Sequence, residues 1–291
     1  MNRELDAILL LDKPVGISSN AALQRAKRLF FAKKAGHTGS LDNLAEGLLP
    51  ICFGEGTKLA GYLLESDKSY QTVGQLGITT TTGDAEGDIL TQQNVSIFSV
   101  EQIKVVLSSF IGKQSQIPPM FAALKHAGQP LYKLARKGIV IDREPRQITI
   151  YDIQLLDFKD NFISIKVDCS KGTYIRTLVE DIGAVLGCGA HVQKLRRLSV
   201  GCWHNMVNFE TLENTDNIDQ FLLPLSQALP HVSSIELSEE QAQHLKQGKT
   251  VMLKENHLTG LVKLFQNNAF LGLGEIEDCC LKVKRLFCRP C

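Results

Sequence analysis

The spacing of apolar residues changes along this chain without settling into a regular strand–helix–strand rhythm. Ala7 to Leu11 is a short apolar run, closed by Asp12, Lys13, Pro14 and Gly16, and reads as a buried strand. Ser18, Ser19 or Asn20 caps a helix running to about Lys34, with Leu23, Ala26 and Phe30 on one side and Gly36 at its C-terminal end. Tyr70 to Gly77 alternates as a strand and leads into a Thr-rich turn, Thr79 to Gly83. Val100 to Phe110 reads as a helix, and Ile148 to Phe158 with Phe162 to Cys169 as a strand pair around a polar turn. Thr173 to Leu186 is helical, its apolar Ile175, Leu178, Val179, Ile182 and Leu186 spaced three and four apart. Beyond Ser233 short strands recur, with Gly248, Gly260, Gly272 and Gly274 as turns. Elements interspersed in this way predict an α+β domain followed by a smaller β-rich one. The chain's 291 residues suffice for both, and an acidic stretch containing Pro224 and Pro230 sets the boundary, giving 1–230 and 231–291.

Lys plus Arg is 32 and Asp plus Glu 31, a net charge of +1 that hides strong segregation. Lys13 to Leu41, Gln102 to Ile141 and Ile182 to Phe209 contain no acid, whereas Glu210 to Glu240 holds seven acids and no Lys or Arg. Three basic windows against one acidic counterweight point to an anionic partner.

Several chemistries lack their residues. Gly54-Glu55-Gly56-Thr57-Lys58 has the glycines of a phosphate loop but not its Gly-Lys-Ser/Thr order, and no G-x-S-x-G occurs. Cys52, Cys169, Cys188 and Cys202 stand singly among apolar neighbours and read as reduced core thiols. Of the terminal cysteines only Cys288 and Cys291 have C-x-x-C spacing, and the adjacent Cys279 and Cys280 suit shared coordination of one tetrahedral ion poorly, so no metal is expected. The Ala7–Leu11 run is too short for a signal peptide, and no stretch approaches the roughly 20 apolar residues of a spanning helix. A cytoplasmic protein without a membrane partner is the expectation, and the lack of an apolar dimer stripe makes it a monomer.

Two segments carry candidate chemistry. Asp42 lies in Gly36-His37-Thr38-Gly39-Ser40-Leu41-Asp42-Asn43-Leu44-Ala45-Glu46-Gly47-Leu48-Leu49-Pro50, between a glycine-flanked turn and an apolar run. Spacing alone favours an Asp capping a following helix. A carboxylate kept charged in an apolar loop needs a cation, and Arg176 opens the apolar helix after Thr173, an odd place for a guanidinium without a buried partner.

The segment His37–Pro50, Asp67-Lys68-Ser69-Tyr70 with Leu76-Gly77 and Gly83-Asp84, and Ser170–Arg176 resemble the bacterial tRNA pseudouridine-55 synthases of the TruB family. The resemblance extends to Leu10-Asp12-Lys13-Pro14-Gly16, Gln116-Ile117-Pro118-Pro119, Tyr132, Cys188–Val192 and Leu195–Leu198, in order over nearly all of the first 200 residues. It implies a pseudouridine-synthase fold with a mixed or antiparallel sheet core. The small C-terminal domain resembles a PUA-like RNA-binding domain through Gly248–Val251 and Phe270–Ile276.

The resemblance implies that a uridine in the tRNA T-loop is flipped out, its N1–C1′ bond broken, and the uracil rotated and rejoined through C5. Asp42 is then the nucleophile, at C1′ or at C6, and Arg176 its ion-pair partner. Tyr70 stacks on the uracil and suits C5 proton removal; His37 holds the base out; Tyr174 and Leu195 line the uracil pocket. An isomerisation adds and removes nothing, so no cofactor is implied. Leu41, Leu44, Leu48, Leu49 and Leu195 suit exclusion of water, which would convert a glycosyl intermediate into an abasic site. The basic windows become contacts to the T-stem and T-loop, with 102–146 as an insertion closing over the RNA. Asn43 and Glu46 stand where many members carry Pro and Thr, the Glu adding negative charge beside an RNA-facing site. A non-catalytic RNA-folding module on the same scaffold is the second reading. A nucleoside or glycoside hydrolase, which wants two carboxylates and a water, is the third.

Overall fold

The computed structural model describes residues 2–253 and 259–287. In chain order its first part contains β1 (Ala7–Lys13), α1 (Ser19–Leu29), β2 (Ala35–His37), β3 (Ala45–Phe53) and β4 (Lys68–Leu76). There follow α2 (Val100–Ser108), β5 (Gly112–Gln116), β6 (Arg146–Lys159), β7 (Phe162–Cys169), α3 (Ile175–Val185), β8 (Ala190–Val200) and β9 (Leu222–Leu223). These nine strands form one sheet in the order β9-β1-β3-β8-β4-β7-β6-β5, with β2 also paired to β3. All pairs are antiparallel except β3 with β8, which run parallel.

Ser18 caps α1 by accepting from the Ala21 N–H, and Ser99 with Gln102 closes a capping box on α2. The apolar stripes of α1 (Ala22, Leu23, Ala26), α2 (Ile103, Leu107) and α3 (Leu178, Val179, Ile182) share one core with Leu9, Leu11, Ile51, Ile165 and Val167 of the sheet. Each Leu, Ile or Val among them contributes about 1.5–3 kcal/mol by burial.

The helix α1 ends before Lys34: Phe30 is buried, Phe31 takes φ +50, and the chain turns into β2, where Gly36 is a strand residue rather than a stop. No helix follows Asp42. The apolar run is β3, buried almost end to end, which is why it shows no alternation. Thr79 and Thr80 belong to a short strand, Ile78–Thr80, paired with Ile89–Gln92. The proposed insertion is narrower than 102–146, because α2 packs into the core and β5 joins the sheet edge; the part outside the sheet is 117–145. Cys52, Cys169 and Cys188 are buried free thiols, whereas Cys202 is exposed on the turn after β8.

The second part contains β10 (Ser234–Glu236), α4 (Glu239–Lys246), β11 (Val251–Met252), β12 (Gly260–Gln266), β13 (Ala269–Glu277) and β14 (Cys280–Leu286). They form a five-stranded sheet in the order β10-β12-β13-β14-β11. Gly272 and Gly274 lie inside β13, not at turns. A Cβ on Gly272 would sit 2.1 Å from the Arg285 carbonyl oxygen. The hairpins instead turn at Asn267-Asn268 and Asp278-Cys279, both pairs at positive φ as a two-residue type I′ hairpin requires. This sheet has its own core but is not independent: Leu273 and Phe287 pack in one cluster with Ile8, Cys52, Leu59 and Leu225 of the first part. Cys279 and Cys280 are free thiols; Cys288 and Cys291 lie outside the described residues. Among the described residues no helix is long and apolar enough to cross a membrane.

Candidate active site

Asp42 occupies the loop between β2 and β3. Its position is set from behind by Ser19, a buried residue of α1 whose hydroxyl accepts from the Leu41 N–H at 2.7 Å and donates to the Leu41 carbonyl at 2.9 Å. The Asn43 carbonyl accepts from Gly16 N–H at 2.8 Å, a contact that does not use the Asn side chain. Glu46 is neutralised locally: Arg196 lies 3.3 Å from it and 2.6 Å from Asp12.

Arg176, on the first turn of α3, is 4% exposed. Its Nε lies 3.1 Å from Asp42 Oδ2, the pairing the sequence predicts. The same guanidinium lies 3.5 Å from buried Asp84 and donates to the Thr82 carbonyl at 2.8 Å and the Phe121 carbonyl at 2.6 Å. The site is therefore not one carboxylate against one cation, because Arg176 bridges two aspartates of different burial. Asp84 is sealed in, its Oδ1 accepting from the Thr82 hydroxyl and the Glu86 N–H. Asp42 is 44% exposed on the side chain and faces the cleft.

A row across three strands forms the opposite wall. Tyr70 on β4 lies opposite Arg197 on β8, and Arg197 opposite Gly47 on β3; one pair further, Leu195 lies opposite both Thr72 and Ala45. Gly47 takes φ +100, and a Cβ there would stand 2.3 Å from the Arg197 carbonyl oxygen, so the parallel junction closes only on glycine. Tyr174 precedes α3 and is fixed by Gln116 of β5, whose amide accepts from the Tyr174 N–H at 2.8 Å and donates to its carbonyl at 3.0 Å.

Asp42, Tyr70, Arg176, His37, Tyr174 and Leu195 all line one cleft of about 560 Å³, within the ~300–1,000 Å³ of small-ligand sites. Leu41 lines it too. Leu48 and Leu49 do not, being fully buried in β3, and Leu44 faces a neighbouring groove beside Glu46 and Arg196. Arg197, Lys68 and Phe121 also line it and Asp84 stands behind it, none of them assigned a role from sequence.

Burial pushes the Asp42 carboxyl up from the ordinary value; Arg176 pulls it down, Asp84 raises it and Lys13 lowers it. Burial likewise raises the Tyr70 phenol, with Arg197 the main opposing influence. Burial and then Arg197 lower His37, whose Nδ1 has no hydrogen-bond partner among the described residues. Lys68 is pushed down to about 8 by burial, with Arg197 adding repulsion. No group of three or more His, Cys, Asp or Glu that could hold a metal occurs among the described residues.

Residues 27–175 match the family model of the N-terminal domain of the TruB family pseudouridylate synthases. Residues 176–230 match the tRNA pseudouridylate synthase B C-terminal domain, and 233–287 the C-terminal domain of pseudouridine synthase II TruB. A protein of Coxiella burnetii (strain RSA 493 / Nine Mile phase I) named tRNA pseudouridine synthase B is 50% identical over 294 residues, 98% of this chain and 95% of that one. A protein of the same name from Nitrosococcus oceani is 49% identical over 95% of this chain and 92% of its own. Among solved structures, a Cbf5-Nop10-Gar1 complex gives a TM-score of 0.73 at 21% identity over 97% of this chain and 85% of the matched chain. An H/ACA RNP bound to a substrate RNA containing 2′-deoxyuridine gives 0.72 at 19% identity over the same shares. The mixed-sheet α+β core and small β-rich C-terminal domain are the fold of those solved structures, and the chain belongs to the TruB family of pseudouridylate synthases.

Proposed function

We propose that this chain isomerises uridine to pseudouridine at position 55 in the T-loop of tRNA, with Asp42 as the nucleophile at C1′. Family membership supplies pseudouridine synthase chemistry, and the relatives' names supply tRNA as substrate. The observation that carries the assignment of Asp42 is its place in the cleft: it is the carboxylate of the Asp42–Arg176–Asp84 cluster that opens onto the cavity, while Asp84 stays buried behind the same guanidinium.

The everted uridine enters between Asp42 and Tyr70, and unstacking a loop base costs a few kcal/mol, offset by stacking on Tyr70. Arg176 keeps Asp42 ionised and aimed as it attacks C1′, forming an ester bond as the N1–C1′ bond breaks. The uracil turns over, C5 displaces the Asp42 carboxylate from C1′, and Tyr70 takes the C5 proton. Tyr174 and Leu195 hold the ring, His37 keeps the base out of its loop, and Leu41 with Leu195 limits water at the reacting carbon. Residues 1–230 carry the chemistry, with 117–145 lying over the cleft through Phe121, and 231–291 bind the acceptor end of tRNA.

The test is incubation with unmodified tRNA followed by carbodiimide labelling of pseudouridine. Product from the wild type at position 55 and none from Asp42→Asn supports the reading. Rescue of RNA folding by both proteins without product replaces it with the RNA-folding module, and free uracil replaces it with a hydrolase.

A further inference from the structure

Arg197 is among the largest fully buried side chains, 1% exposed, yet it lines the active-site cleft. Its hydrogen bonds go to neutral oxygens: Nε to the Leu48 carbonyl at 2.7 Å and Nη2 to the Gly39 carbonyl at 3.1 Å. Among the described residues no carboxylate forms an ion pair with it, in contrast to Arg176 with two. Removing a guanidinium from water without a counter-ion is costly, and two carbonyls could be satisfied by a neutral donor. What a neutral donor could not supply is positive charge beside the one ionisable group directly across the strand pair, Tyr70.

We propose that Arg197 is a positioning residue for Tyr70, its guanidinium aiming the phenolic oxygen at C5 of the everted uracil and favouring the phenolate that accepts the C5 proton. This rests on the pseudouridine synthase reading above and deepens it. Once C5 has joined C1′, C5 carries both the sugar and a hydrogen. The C5–H bond breaks, its electron pair restores the C5–C6 double bond, and the proton passes to the Tyr70 oxygen. The N1=C6 pair formed when C5 attacked returns to N1, and the phenol yields its proton to that nitrogen. The sum is one proton moved from C5 to N1, with nothing consumed.

The surrounding charges agree with this division of labour. Lys68, the other cation on this wall, is committed to the Leu64 and Ser66 carbonyls. Asp42 across the cleft and the Cys169 thiol behind both oppose a phenolate. Arg197, directly across the strand pair, is the group that favours one by its charge.

The experiment uses a T-stem-loop RNA whose target uridine carries deuterium or hydrogen at C5. Steady-state kcat, KM and the C5 isotope effect are measured for wild type, Arg197→Lys, Arg197→Met, Tyr70→Phe and the Arg197→Met/Tyr70→Phe double variant. The expected result is a fall in kcat of about 100-fold in Arg197→Met, the scale of one general-base contribution, with KM little changed and a larger isotope effect than wild type. Arg197→Lys recovers part of the rate, and the double variant is no slower than the slower single. Loss of kcat with an unchanged isotope effect, multiplicative losses in the double variant, or a normal Arg197→Met overturns the proposal. Should Arg197→Met fail to fold, Arg197→Lys decides alone: a raised isotope effect supports, a wild-type one overturns. A wild type that makes no pseudouridine overturns the functional reading instead.

Discussion

The Arg176 guanidinium donates to the Phe121 carbonyl at 2.6 Å, so the segment that projects from the sheet is hydrogen-bonded to the arginine that also holds Asp42. Four neighbours converge on one planar fork: two carboxylates and two carbonyls. A lysine has the charge but not the geometry. Arg176→Lys is therefore expected to lose on the order of 100-fold or more in kcat while binding tRNA with affinity close to wild type. Single-turnover rates alongside equilibrium binding check this, and a near-normal rate would remove Arg176 from the role.

On the proposed mechanism activity depends on pH through Asp42, which must be ionised to attack. Its carboxyl is raised in the folded protein, so the acid limb of kcat/KM lies above the ordinary carboxylate range. Arg176 is the leading influence pulling the other way, and Arg176→Met is expected to move that limb to still higher pH. The same direction has a consequence for stability. A folded-state value above the unfolded one means that ionised Asp42 opposes folding at neutral pH, an opposition lifted as pH falls through the folded value. Asp42→Asn is expected to unfold at pH 7 at a temperature no lower than wild type, measured by calorimetry; a large drop would contradict the sign.

Gly47 is irreplaceable at the parallel junction. Gly47→Ala must hold φ +100 and place its Cβ 2.3 Å from a backbone oxygen that cannot swing away. The φ alone costs about 1–3 kcal/mol, and the clash adds to it. We expect a thermal midpoint lower by on the order of 4–8 °C, together with reduced kcat because Arg197 is displaced. An unchanged midpoint would mean that β3 and β8 separate freely.

The C-terminal sheet supports the first part of the chain through a shared core. Truncation after Pro230 removes Leu273 and Phe287 from their shared cluster and uncovers Ile8, Cys52 and Leu59. The remaining protein is expected to melt at a lower temperature and bind tRNA less tightly, with little change in the rate of bound RNA. The point variant Leu273→Ala separates the two effects, costing about 2–5 kcal/mol in stability with RNA affinity retained when assayed well below its melting temperature.

How much of this was legible in sequence depended on whether a residue's environment was local. Arg176 could be found because a guanidinium among helically spaced apolar residues implies a partner, and Asp42 because its loop resembles a known family. Asp84 could not, since its link to Arg176 exists only once the turn carrying Gly83 and Ala85 is bonded to Val192 at the start of β8. Arg197 was hidden by its neighbour: Arg196 and Arg197 are identical in sequence terms, and the irregularity between Val192 and Lys194 breaks the period-two count that would assign their faces. The run after Asp42 read as a helix because β3 is buried on both sides, which erases the alternation of a strand.

The most direct measurement of the central claim is pseudouridine formation at position 55 by Asp42→Asn under single-turnover conditions with saturating enzyme, the protein shown folded and RNA-bound. No detectable product, with tRNA affinity within a few-fold of wild type, is the predicted result. Product at a rate near wild type would mean that another group attacks the sugar.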